Sequence, residues 1–195
     1  MNFFENDPSA RSAVVLPQIE LPAWLVKRER ELVGRKIVDV ADRLRIVIDL
    51  ACENIRRGTG GPFGAAIFER SSNRLFALGV NLVVPHGQSL AHAEMMALAR
   101  AHKLSGELRL EAFELVASCE PCIMCTGATL WSGVRSLVYG SPESDAWAIG
   151  FEEGMKPVAW DDDFRRHGIA VLGPMLPDES VEPFRIYQRA CGTLY

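Results

Sequence analysis

The chain has 195 residues, of which 48% are hydrophobic and 24% are charged, and its formal net charge is −4. These values predict one compact globular region with a sizeable core, and the acidic balance argues against a nucleic-acid partner. No apolar run approaches the roughly 18–20 residues that cross a membrane, and the first residues lack the basic start of a signal peptide. Five cysteines, two of them in a metal-binding spacing, are typical of a reduced protein, so we expect a cytoplasmic location and no membrane partner.

Apolar periodicity and turn residues divide the chain into helices and strands. Residues 1–22 show no sustained periodicity and predict an arm with little regular structure, whereas residues 23–195 predict a single domain. The predicted elements, in chain order, are a helix at 22–32, a helix at 44–55, strands at 63–68 and 75–84, a helix at 91–103, a strand at 113–118, a helix at 122–131, strands at 134–139 and 169–172, and a helix at 178–191. Residues 141–168 are predicted to form a long acidic connection without regular structure. Strands separated by helices favour an α/β sandwich with helices on both faces of the sheet.

A histidine and two cysteines have the spacing of a zinc site. His92 and the pair Cys122 and Cys125 supply three ligands, which leaves the fourth tetrahedral position for water or hydroxide, the arrangement of a catalytic zinc. Pro121 suits the first helical position, and the two cysteines, three residues apart, share one face of a helix. Because residues two apart diverge inside a helix, His92 and Glu94 can reach one site only from a first turn. We therefore predict two helix starts directed at one metal ion, with Glu94 free to move protons.

A closed structural zinc site is the alternative for this motif. It would need a fourth cysteine or histidine, and none is suitably placed, so we prefer a catalytic site. The other cysteines are expected to be small buried hydrophobic residues, although Cys119 lies close to the motif.

The pattern His92-Ala93-Glu94 with Pro121-Cys122-Ile123-Met124-Cys125 resembles the zinc deaminases of the cytidine deaminase-like superfamily. Further stretches make the chain similar to bacterial guanine deaminases and related purine and triazine aminohydrolases. These stretches are Gly61-Pro62-Phe63-Gly64, Gly79-Val80-Asn81, Gly127-Ala128-Thr129-Leu130-Trp131 and Ala148-Ile149-Gly150-Phe151-Glu152-Glu153-Gly154. The resemblance covers the chain from the first long helix to the end. It implies a three-layer α/β/α sandwich with a five-stranded mixed sheet, one Zn²⁺ per subunit, and a homodimer whose C-terminal segment closes over a pocket, in some members a neighbouring subunit's.

The same resemblance assigns roles around the metal. Glu94 is expected to shuttle protons, and Glu153 to hold the donor edge of a base and help protonate the departing amine. The expected substrate-binding residues are Asn81, Phe63, Trp131, Ala93 and Tyr195, with Phe63 and Trp131 packing against a flat ring. Several of these residues have an ordinary structural alternative. In it, Glu153 is a solvated loop acid, Asn81 bonds the backbone of a turn, and Phe63 and Trp131 are core aromatic residues.

These residues predict hydrolytic deamination of a free base, with guanine, giving xanthine and ammonia, as the first candidate. Other small amino-heterocycles stay open, namely ammeline or another aminotriazine, cytosine and nucleosides. A tRNA adenosine deaminase is less favoured, because it would need a basic channel for phosphates. A zinc-binding scaffold without activity is least favoured, since all three ligands and the acid are present.

Overall fold

The computed structural model describes residues 19–195. Almost all of the predicted arm at 1–22 lies outside these residues, so the arm and the domain boundary stay predictions. The helices of the described part are α1 (Ala23–Leu32), α2 (Val40–Arg56), α3 (Val83–His86), α4 (Ala93–Ser105), α5 (Ile123–Ser132), α6 (Glu143–Ala148), α7 (Trp160–Arg166), α8 (Pro177–Ser180) and α9 (Glu182–Arg189). The strands are β1 (Gly64–Glu69), β2 (Arg74–Val80), β3 (Phe113–Cys119), β4 (Ser136–Ser141) and β5 (Ala170–Leu172).

The five strands form one mixed sheet in the order β2-β1-β3-β4-β5. Strand β1 pairs antiparallel with both β2 and β3, whereas β4 pairs parallel with both β3 and β5. Helices α1, α2 and α9 pack on one face, and α4, α5 and α7 pack on the other. The predicted three-layer α/β/α sandwich with a five-stranded mixed sheet is confirmed.

Alternation of side chains along β1 shows why the sheet needs helices on both faces. Ala66 and Phe68 are buried with α1 and α2, while Ala65 and Ile67 are buried with α4. Successive strand residues point to opposite faces, so a strand that is apolar at every position must be covered twice.

Two parts of the predicted secondary structure are wrong. The second strand ends at Val80, not at residue 84, because residues 83–86 turn into the short helix α3. The stretch 141–168, predicted as irregular, contains α6 and α7. Several acidic residues lie in the first turn of each of these helices, where the positive end of the helix dipole stabilises them. The prediction of a loop is based on the abundance of these acids and is therefore wrong.

None of the helices between residues 19 and 195 is both long enough and apolar enough to cross a membrane.

Candidate metal and substrate site

The site lies where two helices begin, beside the end of β3. His92 is the N-cap residue of α4 and Glu94 lies in its first turn, while Cys122 is the N-cap residue of α5 and Cys125 lies in its first turn. One detail differs from the sequence prediction. Cys122 has an extended backbone (φ −65°, ψ 173°), so Pro121 precedes the cap and does not occupy the first helical position. The two sulfurs therefore converge from a cap and a first turn, and not from one helix face.

The donor atoms of His92, Cys122 and Cys125 have the spacing that a tetrahedral zinc ion requires. Nδ1 of His92 lies 3.6 Å from each of the two sulfurs, and all three donor atoms lie within 4.8 Å of one another. Zinc–nitrogen and zinc–sulfur bonds of ordinary length at a tetrahedral angle place nitrogen and sulfur about 3.6 Å apart. The residues therefore fit Zn²⁺ in both donor type and geometry.

Burial and close contact shift the protonation of these groups. A hydrogen bond from the Cys125 thiol lowers the pKa of Cys122 to about 4, and the pKa of Cys125 is raised well above its usual value. Burial alone would lower the pKa of His92, but its bond with Cys122 and the nearby carboxylates raise it to about 9. Burial raises the pKa of Glu94, and raises that of Glu153 to about 7. A cation bound to both sulfurs displaces their protons, since the thiolate is the form that ligates metals.

Glu94 and Glu153 approach the metal position from two different segments. Glu94 is buried, and its Oε2 accepts a hydrogen bond from the Cys125 thiol at 3.5 Å. Glu153 lies in the connection between α6 and α7, and its Oε1 is 3.4 Å from Nε2 of His92. The two carboxylates therefore reach different ligands, Glu94 from a helix start and Glu153 from a loop.

Asn81 and Phe63 lie beside the same site. Asn81 is fully buried; its Oδ1 accepts a hydrogen bond from the Val83 N–H at 3.3 Å, while its Nδ2 has no partner among the described residues. Phe63 lines the cavity together with His92 and Glu94. Ala93 occupies the first turn of α4, where backbone N–H groups have no partner within the helix. Asn81 thus bonds the backbone of a turn, which is the structural alternative given above. Its two Nδ2–H donors have no partner among the described residues.

The C-terminal segment folds over the site of its own chain. The ring centroid of Tyr195 is 6.5 Å from that of His92 and 5.1 Å from that of Phe151. The Tyr187 hydroxyl donates a 2.6 Å hydrogen bond to the Thr193 carbonyl, which fixes the segment just before its end. The enclosed cavity measures about 10 Å³, which is room for about one water molecule. This cavity is too small for a flat base, so some of the side chains around the ligands must move to admit one.

Trp131 does not lie in the site. The prediction that it contacts a substrate ring there is therefore wrong. It is 85% exposed and lines a shallow surface groove with Leu98 and His102 of α4. Trp131 lies in the last turn of α5, nine positions after Cys122, which is about 13 Å along a helix. The first turn of α5 faces the metal position and its last turn points away from it.

Four groups beside the site were not singled out as functional from the sequence. Phe151 is buried against Phe63, with ring centroids 5.1 Å apart, and so underlies the segment that carries Glu153. Glu120 and Glu143 line the cavity, and both contact Lys156. Lys156 is the only lysine between residues 141 and 168. A single lysine among many acids is the sequence signal that indicates a buried ion pair in that stretch.

Residues 41–141 match the model of the family described as the cytidine and deoxycytidylate deaminase zinc-binding region, which is more than half of the chain. The chain therefore belongs to this family, and its fold and donor set are those of a zinc-dependent hydrolytic deaminase. The family resemblance found in the sequence is confirmed.

Among its relatives, the chain is similar to guanine deaminase from Bacillus subtilis, with 38% identity over 110 residues that cover 56% of this chain and 69% of the relative. Its structure is similar to that of guanine deaminase from Nitrosomonas europaea, with a TM-score of 0.83 and 40% identity, covering 89% of this chain and 97% of the other. It is also similar to NE0047 in complex with 2,6-diaminopurine, with a TM-score of 0.85 and 42% identity, covering 91% and 95% of the two chains.

Proposed function

We propose that the protein deaminates guanine to xanthine and ammonia. The observation that carries the proposal is Glu153, a largely buried carboxylate within 3.4 Å of the metal-binding imidazole of His92. Guanine presents two adjacent donors, N1–H and its amino group, and a carboxylate is the acceptor that pairs with both. The relatives described above support the choice, since two are guanine deaminases and NE0047 was solved with a diaminopurine.

The remaining contacts follow from the groups that lie free in the site. The Nδ2 donors of Asn81 would bind an acceptor edge of the base, and the first-turn N–H of Ala93 would bind another. Phe63 would pack against the ring, with Tyr195 covering the opposite side. The C-terminal segment, whose Tyr195 ring lies 6.5 Å from that of His92, would open to admit the base and then close over it.

The protons move through the two acids. We propose one zinc ion per chain, held by His92, Cys122 and Cys125 with one position left for water; when bound it acts as a Lewis acid and lowers the pKa of that water. Glu94 takes a proton from the attacking water and delivers it to the ring nitrogen beside C2. Glu153 takes the proton that remains on the added hydroxyl group and passes it to the amino group as the carbon–nitrogen bond breaks, so ammonia leaves and C2 keeps a carbonyl oxygen. Burial raises the pKa of Glu153 to about 7, so its carboxylate can take up a proton and release it again near neutrality.

The oligomeric state, location and partners of the protein can also be proposed. We propose a homodimer, which the family resemblance implies and which would cover the exposed face around Trp131. We also propose a cytoplasmic location. We propose no nucleic-acid partner, because a net charge of −4 is unfavourable for binding phosphates. Sedimentation of the parent and of Trp131→Glu would test the first, and tRNA retention at moderate salt the last.

The substrate is tested by measuring ammonia release from guanine, ammeline, cytosine, adenine and guanosine with the zinc-loaded protein. Guanine should be the best substrate, with ammeline second because its donor edge is similar. Glu153→Gln should lose most activity on guanine, since an amide cannot accept from two donors at once or supply the proton. Activity confined to cytosine or guanosine would contradict the proposal while leaving the zinc chemistry intact.

A further inference from the structure

We infer that Lys156 is a positioning residue that holds Glu153 in the site, an inference that rests on the function proposed above. Lys156 lies three residues after Glu153, in the same connection between α6 and α7. Its side chain is only 4% exposed. A buried lysine requires partners, because an unpaired charge in a protein interior is strongly unfavourable.

The partners of Lys156 tie this connection to the start of the metal-binding turn. Its Nζ lies 2.8 Å from Oε1 of Glu120, 3.0 Å from Oε2 of Glu143 and 2.5 Å from the carbonyl oxygen of Pro121, the residue before Cys122. The ammonium group also lies 5.0 Å from the ring centroid of Trp160, at the start of α7. The lysine therefore bridges its own segment, α6, α7 and the turn that carries a metal ligand.

The two carboxylates are themselves fixed. The Glu143 N–H donates a 3.1 Å hydrogen bond to Oε2 of Glu120, and the Glu120 N–H donates to the Ser141 carbonyl at 2.8 Å. Two acids thus face one lysine in this buried group, and burial raises the pKa of Glu143. Loss of the lysine would bring two carboxylates together without a counter-charge, so the segment that supplies the lysine is strongly held there.

The segment around Glu153 has few other restraints. Residues 152–156 make no backbone–backbone hydrogen bond within the described part of the chain. Before Glu153, the chain is anchored by Phe151, which is 1% exposed and packs on Phe63. After it, Met155 and Val158 are exposed, and Lys156 supplies the buried anchor between them. The carboxylate of Glu153 itself contacts His92, and the backbone on either side of it is held by one aromatic anchor and one ionic anchor.

A double-mutant cycle on Lys156 and Glu153 tests this inference. The value of kcat/KM for guanine is measured for the parent, Lys156→Met, Glu153→Gln and the double variant, each with its zinc content. Misplacing a reacting group by about 1 Å costs up to roughly 100-fold, so Lys156→Met should lose about 10- to 100-fold with zinc retained. In the Glu153→Gln background the same change should cost less than about 3-fold, because the group it positions is already gone.

Local cleavage gives a readout that does not depend on the substrate. Endoproteinase Glu-C should cut after Glu152 roughly five-fold faster or more in Lys156→Met than in the parent, and no faster in Lys103→Met, which changes an exposed lysine. If Lys156→Met does not fold, Lys156→Gln, which keeps a donor towards Glu120, replaces it in both experiments.

Equal losses in the two backgrounds, loss of zinc from the lysine variant, or unchanged cleavage would overturn the inference. A parent that does not deaminate guanine would refute the proposed function instead, and the cleavage rates would then decide the role of Lys156 alone.

Discussion

Gly79 allows the helix that carries two site residues to lie directly on the sheet. A β-carbon added at Gly79 would lie 2.3 Å from the carbonyl oxygen of Ala93 and 2.5 Å from the backbone nitrogen of Ala97. Both atoms belong to the backbone of α4, so no side chain can rotate away to make room. Ordinary contact needs at least 3.4 Å, and Gly79→Ala must therefore push α4 away from β2 by about 1 Å.

The displacement predicts two measurable losses. Overpacking of this kind costs about 1–3 kcal/mol, which lowers the melting temperature of a chain of this size by several degrees. Because His92 and Glu94 lie at the start of α4, the same shift should weaken zinc binding and lower kcat/KM for guanine by about 10- to 100-fold. Thermal unfolding, zinc content after dialysis and ammonia release together measure these effects.

Gly127 provides the matched control. It lies inside α5, the other helix of the metal site, and a β-carbon there would meet nothing within 4 Å. Gly127→Ala should therefore keep full activity and raise stability by up to about 1 kcal/mol, since alanine favours the helix. A Gly79→Ala variant as stable, zinc-loaded and active as the parent would refute the argument that close packing of α4 sets the metal site.

Three other changes have distinct expected outcomes. Glu94→Gln should keep its zinc, because Glu94 is not among the three ligands, and should lower kcat by about 10²- to 10⁴-fold; normal turnover would contradict the proton-transfer role. Arg43→Met should destabilise the fold by about 3–5 kcal/mol in denaturant unfolding, because it leaves Glu114 buried without the partner that now lies 2.6 Å away. Arg45→Met, at an exposed ion pair, is its control and should shift the unfolding midpoint far less. Tyr195→Ala should raise KM for guanine roughly 10-fold with zinc content unchanged, through loss of one aromatic contact; an unchanged KM would exclude the lid.

The metal ligands could be predicted from the sequence because their chemistry allows few alternatives. Three donors and an adjacent acid at fixed spacing specify a zinc site, and residues two apart can converge only from a helix start. The structure places His92 and Cys122 at two N-caps that meet, which is the geometry this argument requires.

The second half of the site could be predicted only in part. Glu153 was found through its neighbours in the chain, but the anchors that hold it, Phe151 and Lys156, depend on contacts with distant segments. Acidic composition between residues 141 and 168 predicts a loop, although most of those acids lie in the first turns of α6 and α7.

Trp131 shows the opposite error. A motif match placed it in the substrate pocket, yet the direction of α5 from the metal carries it to the surface, where it is 85% exposed. Membership of a motif records that residues are close in the chain, and helix geometry decides which of them reach the site.

The most direct test of the account is guanine turnover by the purified protein before and after removal of zinc by a chelator, followed by addition of one equivalent of Zn²⁺. The account predicts ammonia and xanthine in equal amounts from the zinc-loaded protein, loss of turnover with the metal, and recovery at one zinc per chain. No ammonia from guanine with zinc bound, or full turnover after complete zinc removal, would contradict it.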